Sequence, residues 1–182
     1  MVTNKRLLKA EDLLDLPDDG RSHELIDGEL VEMSSAGGQH GAVLVALVAV
    51  LDPFIEENEL GRLLGGDTGI VLSRDPDTVL GPDLCFFARG RLPDDVPDNF
   101  IEIIPDFVIE IDSPSDRAGD VYDKVQKWLE AGVRQVWNVY PRRRSIVAYS
   151  GRNEVRTFRA TDMIDAAPVL PDFRCPVARL FR

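Results

Sequence analysis

From Ala36 to about Glu59 the chain is apolar on nearly every side as far as Val50 and amphipathic beyond it, a pattern that predicts one long helix. A helix that is apolar all round has to be surrounded, so the rest of the chain is expected to pack on several of its sides, with the helix in the middle of the fold. Its longest uninterrupted apolar run, Ala42 to Leu51, is about half of the roughly 20 residues that a bilayer-spanning helix needs, and no membrane segment is expected. With 182 residues, 44% of them apolar, and no repeat or long linker, the chain reads as a single domain over 1–182.

The elements around that helix follow from turn chemistry and periodicity. Lys9 to Leu16 predicts a short amphipathic helix stopped by Pro17, with a turn at Asp18-Asp19-Gly20. Ser22 to Met33 predicts a hairpin, its tight type I′ turn supplied by Asp27-Gly28, and Ser34 or Ser35 is placed to cap the long helix, which Gly61 ends. Arg62–Leu72, Asp83–Ala88 and Phe107–Ile111 read as strands, with Arg89–Pro105 a surface excursion. A second helix is expected from about Asp116 to Ala131, closed by Gly132, with Val121, Tyr122, Val125, Trp128 and Leu129 as its apolar stripe. Arg134–Tyr140 and Ser145–Ser150 read as strands joined by a turn at Pro141, Glu154–Phe158 continues the meander, and the tail reads as irregular chain with a short final segment. The expected class is α/β or α+β, a mixed central sheet flanked by helices.

Charge narrows the function. The net charge of −11 repels polyanions at long range and excludes general electrostatic adhesion to nucleic acid. Between Arg134 and Arg159, however, seven arginines (134, 142, 143, 144, 152, 156 and 159) face Glu154 alone; they form either a local basic patch or the solvated faces of two exposed strands. Cys85 and Cys175 are too few for a disulfide framework, and the N-terminus lacks the apolar core of a secretory signal; both point to a reducing cytoplasmic setting.

In Phe107–Ile111 the side chains alternate, with Phe107, Ile109 and Ile111 on one face and Val108, Glu110 and Asp112 on the other. A carboxylate beside a core needs a partner, and Asp83 on a neighbouring strand makes a cation the natural one. Hard oxygen ligands suit Mg²⁺ or Mn²⁺; edge solubility or salt bridges are the plainer reading of the same two acids. His40, near the start of the long helix, reads as a packing or capping residue, and His23 as exposed on the hairpin. Ser113 and Ser115 read as caps of the second helix. The glycines at 37–38 and 65–66 lack the spacing of a phosphate-binding loop or a dinucleotide site.

Taken together and in order, these pieces resemble the Uma-type restriction endonuclease family of the PD-(D/E)XK nuclease superfamily. The resemblance rests on Glu24-Leu-Ile-Asp-Gly-Glu29, Gln39-His40-Gly41, Gly81-Pro-Asp83-Leu, Asp106-Phe-Val-Ile-Glu110-Ile-Asp-Ser-Pro-Ser-Asp116, Lys124 with Ala131-Gly-Val, Val136-Trp137, and Leu170-Pro-Asp-Phe with a closing Val-Ala-Arg-Leu-Phe. It implies a restriction-endonuclease-like core with a mixed sheet of about four strands. It also implies divalent-metal-dependent cleavage of DNA phosphodiester bonds. Asp83 and Glu110 would hold Mg²⁺ or Mn²⁺, with the backbone carbonyl of Ile111 as a further ligand and Glu24 as an accessory acid. Asp112 stands where the motif lysine is usual, and Lys124 matches a position to which some members move that lysine. The competing account of Lys124 is a surface lysine that lays its stem on the core. Arg142, Arg143 and Arg144 are candidate phosphate contacts, and a homodimer is expected because cutting both strands pairs two sites. The alternative function is a nuclease-fold module without catalysis, binding nucleic acid or protein.

Overall fold

Phe107, Ile109 and Ile111 are apolar on one side of their strand and Val108 on the other, so this strand can be satisfied only inside a sheet covered on both faces. That is where the computed structural model, which describes residues 6–17, 20–114, 116–151 and 154–181, places it. The turn residues Asp18 and Asp19, the cap assigned to Ser115, and Arg152 lie outside the described residues. In chain order the elements are α1 (Ala10–Leu14), β1 (His23–Ile26), β2 (Glu29–Glu32), α2 (Gly38–Glu57), β3 (Gly61–Gly65), β4 (Ile70–Ser73), β5 (Thr78–Leu80), β6 (Leu84–Ala88) and β7 (Phe107–Ile111). They continue with α3 (Ala118–Ala131), β8 (Gln135–Tyr140), β9 (Ser145–Ser150), β10 (Glu154–Arg159), β11 (Met163–Ala166) and β12 (Leu170–Pro176).

The large sheet has the order β10-β9-β8-β7-β6-β3. β7 runs antiparallel to β6 and parallel to β8; a parallel neighbour requires a crossover, and α3 provides it. One face of this sheet, with Leu84, Phe86, Phe107, Ile109, Trp137 and Val139, packs on Val43, Leu47, Leu51 and Ile55 of α2 and on Phe173 and Cys175 of β12. Phe107 and Trp137 meet edge to face with ring centroids 4.9 Å apart. The other face, with Cys85, Phe87, Val108 and Val136, packs on Val125, Trp128 and Leu129 of α3 and on Ile70 and Leu80. Those last two belong to the second sheet, ordered β2-β1-β5-β4, whose outer side is covered by Ala10 of α1. The hairpin turn has the expected geometry, with Asp27 at φ 52° and Gly28 at φ 79°, and Gly132, at φ 106°, ends α3.

Several expectations are corrected. α2 is not buried all round: one stripe enters the core while Ala42, Val45, Val48 and Ala49 face outward, Val45 at 68% exposure. It is long and apolar enough to cross a membrane by length and composition, and here its buried stripe covers the sheet. Its start is capped by Gly37, not by a serine side chain, and its last turn passes into Asn58, ahead of Gly61. Arg62–Leu72 is not one strand, because Gly66 and Asp67 take positive φ angles of 77° and 59° and send β3 and β4 into different sheets. The short strand β5 was missed, and the large sheet has six strands instead of four. Arg89–Pro105 is anchored by the buried Ile101, which exchanges backbone hydrogen bonds with Gly69 and Val71. Ser113 does not cap α3; its N–H donates to the Asp116 carboxylate, and Arg117 occupies the cap position. Tyr122 lies outside the buried stripe at 54% exposure. The tail forms the antiparallel hairpin β11–β12.

Gly61 marks where α2 is turned back along the sheet edge. Its φ is 155°, and a Cβ there would lie 2.0 Å from the Phe87 carbonyl oxygen. Gly61→Ala should therefore cost at least about 1–3 kcal/mol, near 3 °C of Tm for each kcal/mol in a chain of this size. Gly38→Ala, where a Cβ meets nothing within 4 Å, should leave Tm unchanged or slightly raised; thermal melts of the two variants check this.

Candidate active site

At the C-terminal end of β7 the sheet opens into a cleft of about 830 Å³, lined among others by Glu24, His40, Asp83, Glu110 and Lys124. Five separate elements or junctions supply these groups. Strand alternation aims Glu110 away from the α2 core and toward α3, and there it meets two donors. The Trp128 indole N–H donates to its Oε1 at 2.7 Å, and the Lys124 ammonium lies 3.1 Å from its Oε2. One helical turn separates Lys124 from Trp128, so a single face of α3 delivers both. The same ammonium lies 2.8 Å from Glu24 Oε1 and donates to the Gly81 carbonyl at 3.3 Å. Glu24 in turn accepts the Gly81 N–H at 2.9 Å. Asp83, just before β6, accepts the Ile111 N–H on Oδ2 at 2.7 Å and faces His40 Nε2 with Oδ1 at 2.9 Å.

The electrostatics follow from burial. Glu110, its side chain 13% exposed, is pushed up to about 8 by loss of solvent; Lys124 and the Trp128 N–H oppose the rise, and the charges of Asp83 and Glu24 add to it. Burial also works against the charge on Lys124, but Glu110 and Glu24 overcome it and hold the ammonium above the ordinary lysine range. The hydrogen bond to Asp83 raises His40 despite its burial. Asp112, at the end of the same strand, is raised by burial and by Asp116, with Arg143 and Arg142 pulling it back. Cys85 is a buried free thiol pushed up to about 12, inert as a nucleophile.

The structure thus brings together all four of the side chains that the sequence singled out: Glu24, Asp83, Glu110 and Lys124. The Ile111 backbone takes part through its N–H. Lys124 is not a solvated surface lysine, and Lys127, further out, pairs with Asp27 at 3.3 Å. Two participants were missed. His40 contacts Asp83 instead of merely packing, and Trp128 is a hydrogen-bond donor as well as an apolar stripe residue. Their signals were present in Gln39-His40-Gly41 and in the i, i+4 spacing of Lys124 and Trp128. His23 lies half-buried at the cleft wall, not exposed on the hairpin. Arg134 and Arg156 are ion-paired with Asp106 and Asp165, whereas Arg142 shares a small cavity with His40 and Asp112 beside the cleft.

Among the described residues no group of three or more His, Cys, Asp or Glu side chains is drawn together closely enough to hold a metal ion; the Lys124 ammonium bridges Glu24 and Glu110. The donor chemistry nevertheless fits a hard divalent cation. Three carboxylates share one lysine and one histidine, all of the oxygen donors are of the kind Mg²⁺ and Mn²⁺ prefer, and the acid in the middle is held above its ordinary pKa by loss of solvent, with the charges of Asp83 and Glu24 adding to the rise.

Burial raises the Glu110 pKa in the folded protein above its value near 4.5 in the unfolded chain, so ionising Glu110 weakens the fold progressively as pH rises above that value. In metal-free buffer, the Tm of Glu110→Gln relative to the original protein should increase by several degrees from pH 5 to pH 8, at about 3 °C per kcal/mol. A difference that is flat across this range in calorimetric scans would contradict the raised carboxyl.

No curated protein matches the chain. Among solved structures, the crystal structure of a putative nuclease belonging to DUF820 from Anabaena variabilis superposes with a TM-score of 0.84 at 21% identity, covering 96% of this chain and 97% of that one. It shares the fold: a large mixed sheet with few helices. The Uma2 family model, described as "Putative restriction endonuclease", matches residues 10–178, nearly the whole chain. The chain belongs to the Uma2 family.

Proposed function

We propose that this protein is a divalent-metal-dependent endonuclease acting on DNA. The observation that supports it most is the largely buried Lys124 ammonium, 2.8 Å from Glu24 and 3.1 Å from Glu110, reaching from α3 into the cleft that Asp83 also lines. A module that only binds has no need to gather two acids on a lysine and a third on a histidine in one cleft, because each desolvated charge is costly. In this reading Asp83 and Glu110, with the Ile111 carbonyl, would hold Mg²⁺ or Mn²⁺, which polarises the phosphate, acidifies a water and offsets leaving-group charge.

The chain's own residues do the rest. Lys124 presents a fixed positive charge to the developing negative charge of the phosphate and takes the part of the lysine replaced by Asp112. Glu24 and the Gly81 carbonyl hold that ammonium in place, and the Trp128 N–H fixes the rotamer of Glu110. Arg142 and Arg143, close enough to lower Asp112, supply phosphate contacts beside the cleft, so that an acidic protein approaches DNA through a local basic edge. Two copies related by a two-fold axis would bring two clefts to one duplex.

The second reading is a nuclease-fold module without catalysis, favoured by Asp112 and by the donors already engaged on Asp83 and Glu110. Plasmid nicking across a Mg²⁺ and Mn²⁺ titration separates the two. The endonuclease nicks only with metal, and Glu110→Ala abolishes nicking; absent nicking by the folded protein at every metal concentration favours the module, and nicking without metal contradicts the metal dependence. Lys124→Ala should lower turnover by about 10²–10³-fold without weakening metal affinity, and Lys127→Ala should do little. Equal, mild effects would remove Lys124 from the chemistry. Light scattering at micromolar concentration should give about twice the 20.3 kDa chain mass; a monomer mass contradicts the paired-site arrangement.

A further inference from the structure

The candidate ligand Asp83 is tied on both oxygens, and only one of the ties is local to the sheet. Oδ2 takes the Ile111 N–H at 2.7 Å, which links Asp83 to the strand that carries Glu110. Oδ1 takes His40 Nε2 at 2.9 Å, which links it to the first turn of α2, on the opposite layer. His40 is 9% exposed, and its Nδ1 has no hydrogen-bond partner. A histidine that passes protons needs a second polar contact on its far nitrogen. One that orients a carboxylate needs only the contact seen here.

We propose that His40 is a positioning residue for the metal site: it donates from Nε2 to Asp83 Oδ1 and fixes the plane and reach of that carboxylate, so that the Asp83 lone pairs left uncommitted face Glu110. This rests on the metal-dependent reading above. Without His40 the Asp83 carboxylate turns about its single remaining bond to Ile111, and ordering it becomes part of the cost of binding the cation. α2 starts without a side-chain cap, so His40 is also the polar link from this helix start to the strand ends.

The test is Mn²⁺ binding to the full chain by titration calorimetry, with no substrate present, alongside thermal melts of the metal-free proteins. His40→Ala should weaken Mn²⁺ binding about 10–100-fold, the usual effect of removing a residue that orients a metal ligand. His40→Gln, whose amide nitrogen reaches about as far as Nε2, should recover most of that loss. Unchanged Mn²⁺ affinity in a folded His40→Ala protein overturns the proposal. So does a folded His40→Gln protein as weak as His40→Ala, since a merely packed ring would not be replaced by a donor. An original protein that is folded and binds no Mn²⁺ overturns the metal-dependent reading itself, and the role of His40 with it.

Discussion

Glu110 is a carboxylate buried at the end of an apolar strand, and the architecture around it answers that one cost. An isolated charge in such a place loses more solvation energy than packing returns, so other elements must deliver positive charge and N–H donors to it. α3 does so with two residues one turn apart, Lys124 on Oε2 and Trp128 on Oε1. The lysine brings its own requirement, since a buried ammonium needs more than one acceptor, and Glu24 from the second sheet and the Gly81 carbonyl meet it. The small sheet is thereby joined to the large one by charge as well as by the apolar contacts of Ile70 and Leu80.

The same network leaves an excess of acid. Glu24, Asp83 and Glu110 face one lysine and one histidine, and the charges of Asp83 and Glu24 add to the rise that burial imposes on Glu110. Stability alone would favour an apolar plug in this position, as buried ion pairs are often no better than well-packed hydrophobic residues. The arrangement is better suited to a site that gains by taking up positive charge: a hard cation between the acids, then a phosphate against the lysine. Position 112 fits this division of labour. In the function proposed above, the cationic role passes from position 112 to a side chain that reaches in from α3, held by an acid from a different sheet.

Much of this was legible in the residues. Alternation along Phe107–Ile111 placed Glu110 on the face opposite Phe107, Ile109 and Ile111. Asp27-Gly28 and Gly132 marked their turns because only certain residues tolerate positive φ. Lys124 was marked by the family resemblance, which sets it against the Asp112 that stands at the usual lysine position. What stayed hidden depends on distant partners. Nothing local distinguishes the break between β3 and β4, since Gly65-Gly66-Asp67 reads equally well as a bulge, and β5 is too short to show a period. Pro168, Pro171 and Pro176 disguised the last hairpin, although its edge strands tolerate prolines that a central strand would not. α2 looked buried all round because its outward residues are apolar too. His40 and Trp128 were read from their immediate neighbours, whereas their hydrogen bonds go to Asp83 and Glu110 on other elements.

The central claim is that Asp83 and Glu110 form a cation site, with Lys124 now bridging Glu110 to Glu24. Anomalous scattering from a crystal of the full chain grown with Mn²⁺ tests it most directly. The account predicts a manganese peak bonded to the carboxylates of both Asp83 and Glu110, with the Lys124 ammonium withdrawn from Glu110 Oε2 and still held by Glu24. A crystal at saturating Mn²⁺ that shows no peak there, with the Lys124–Glu110 contact unchanged, would contradict it.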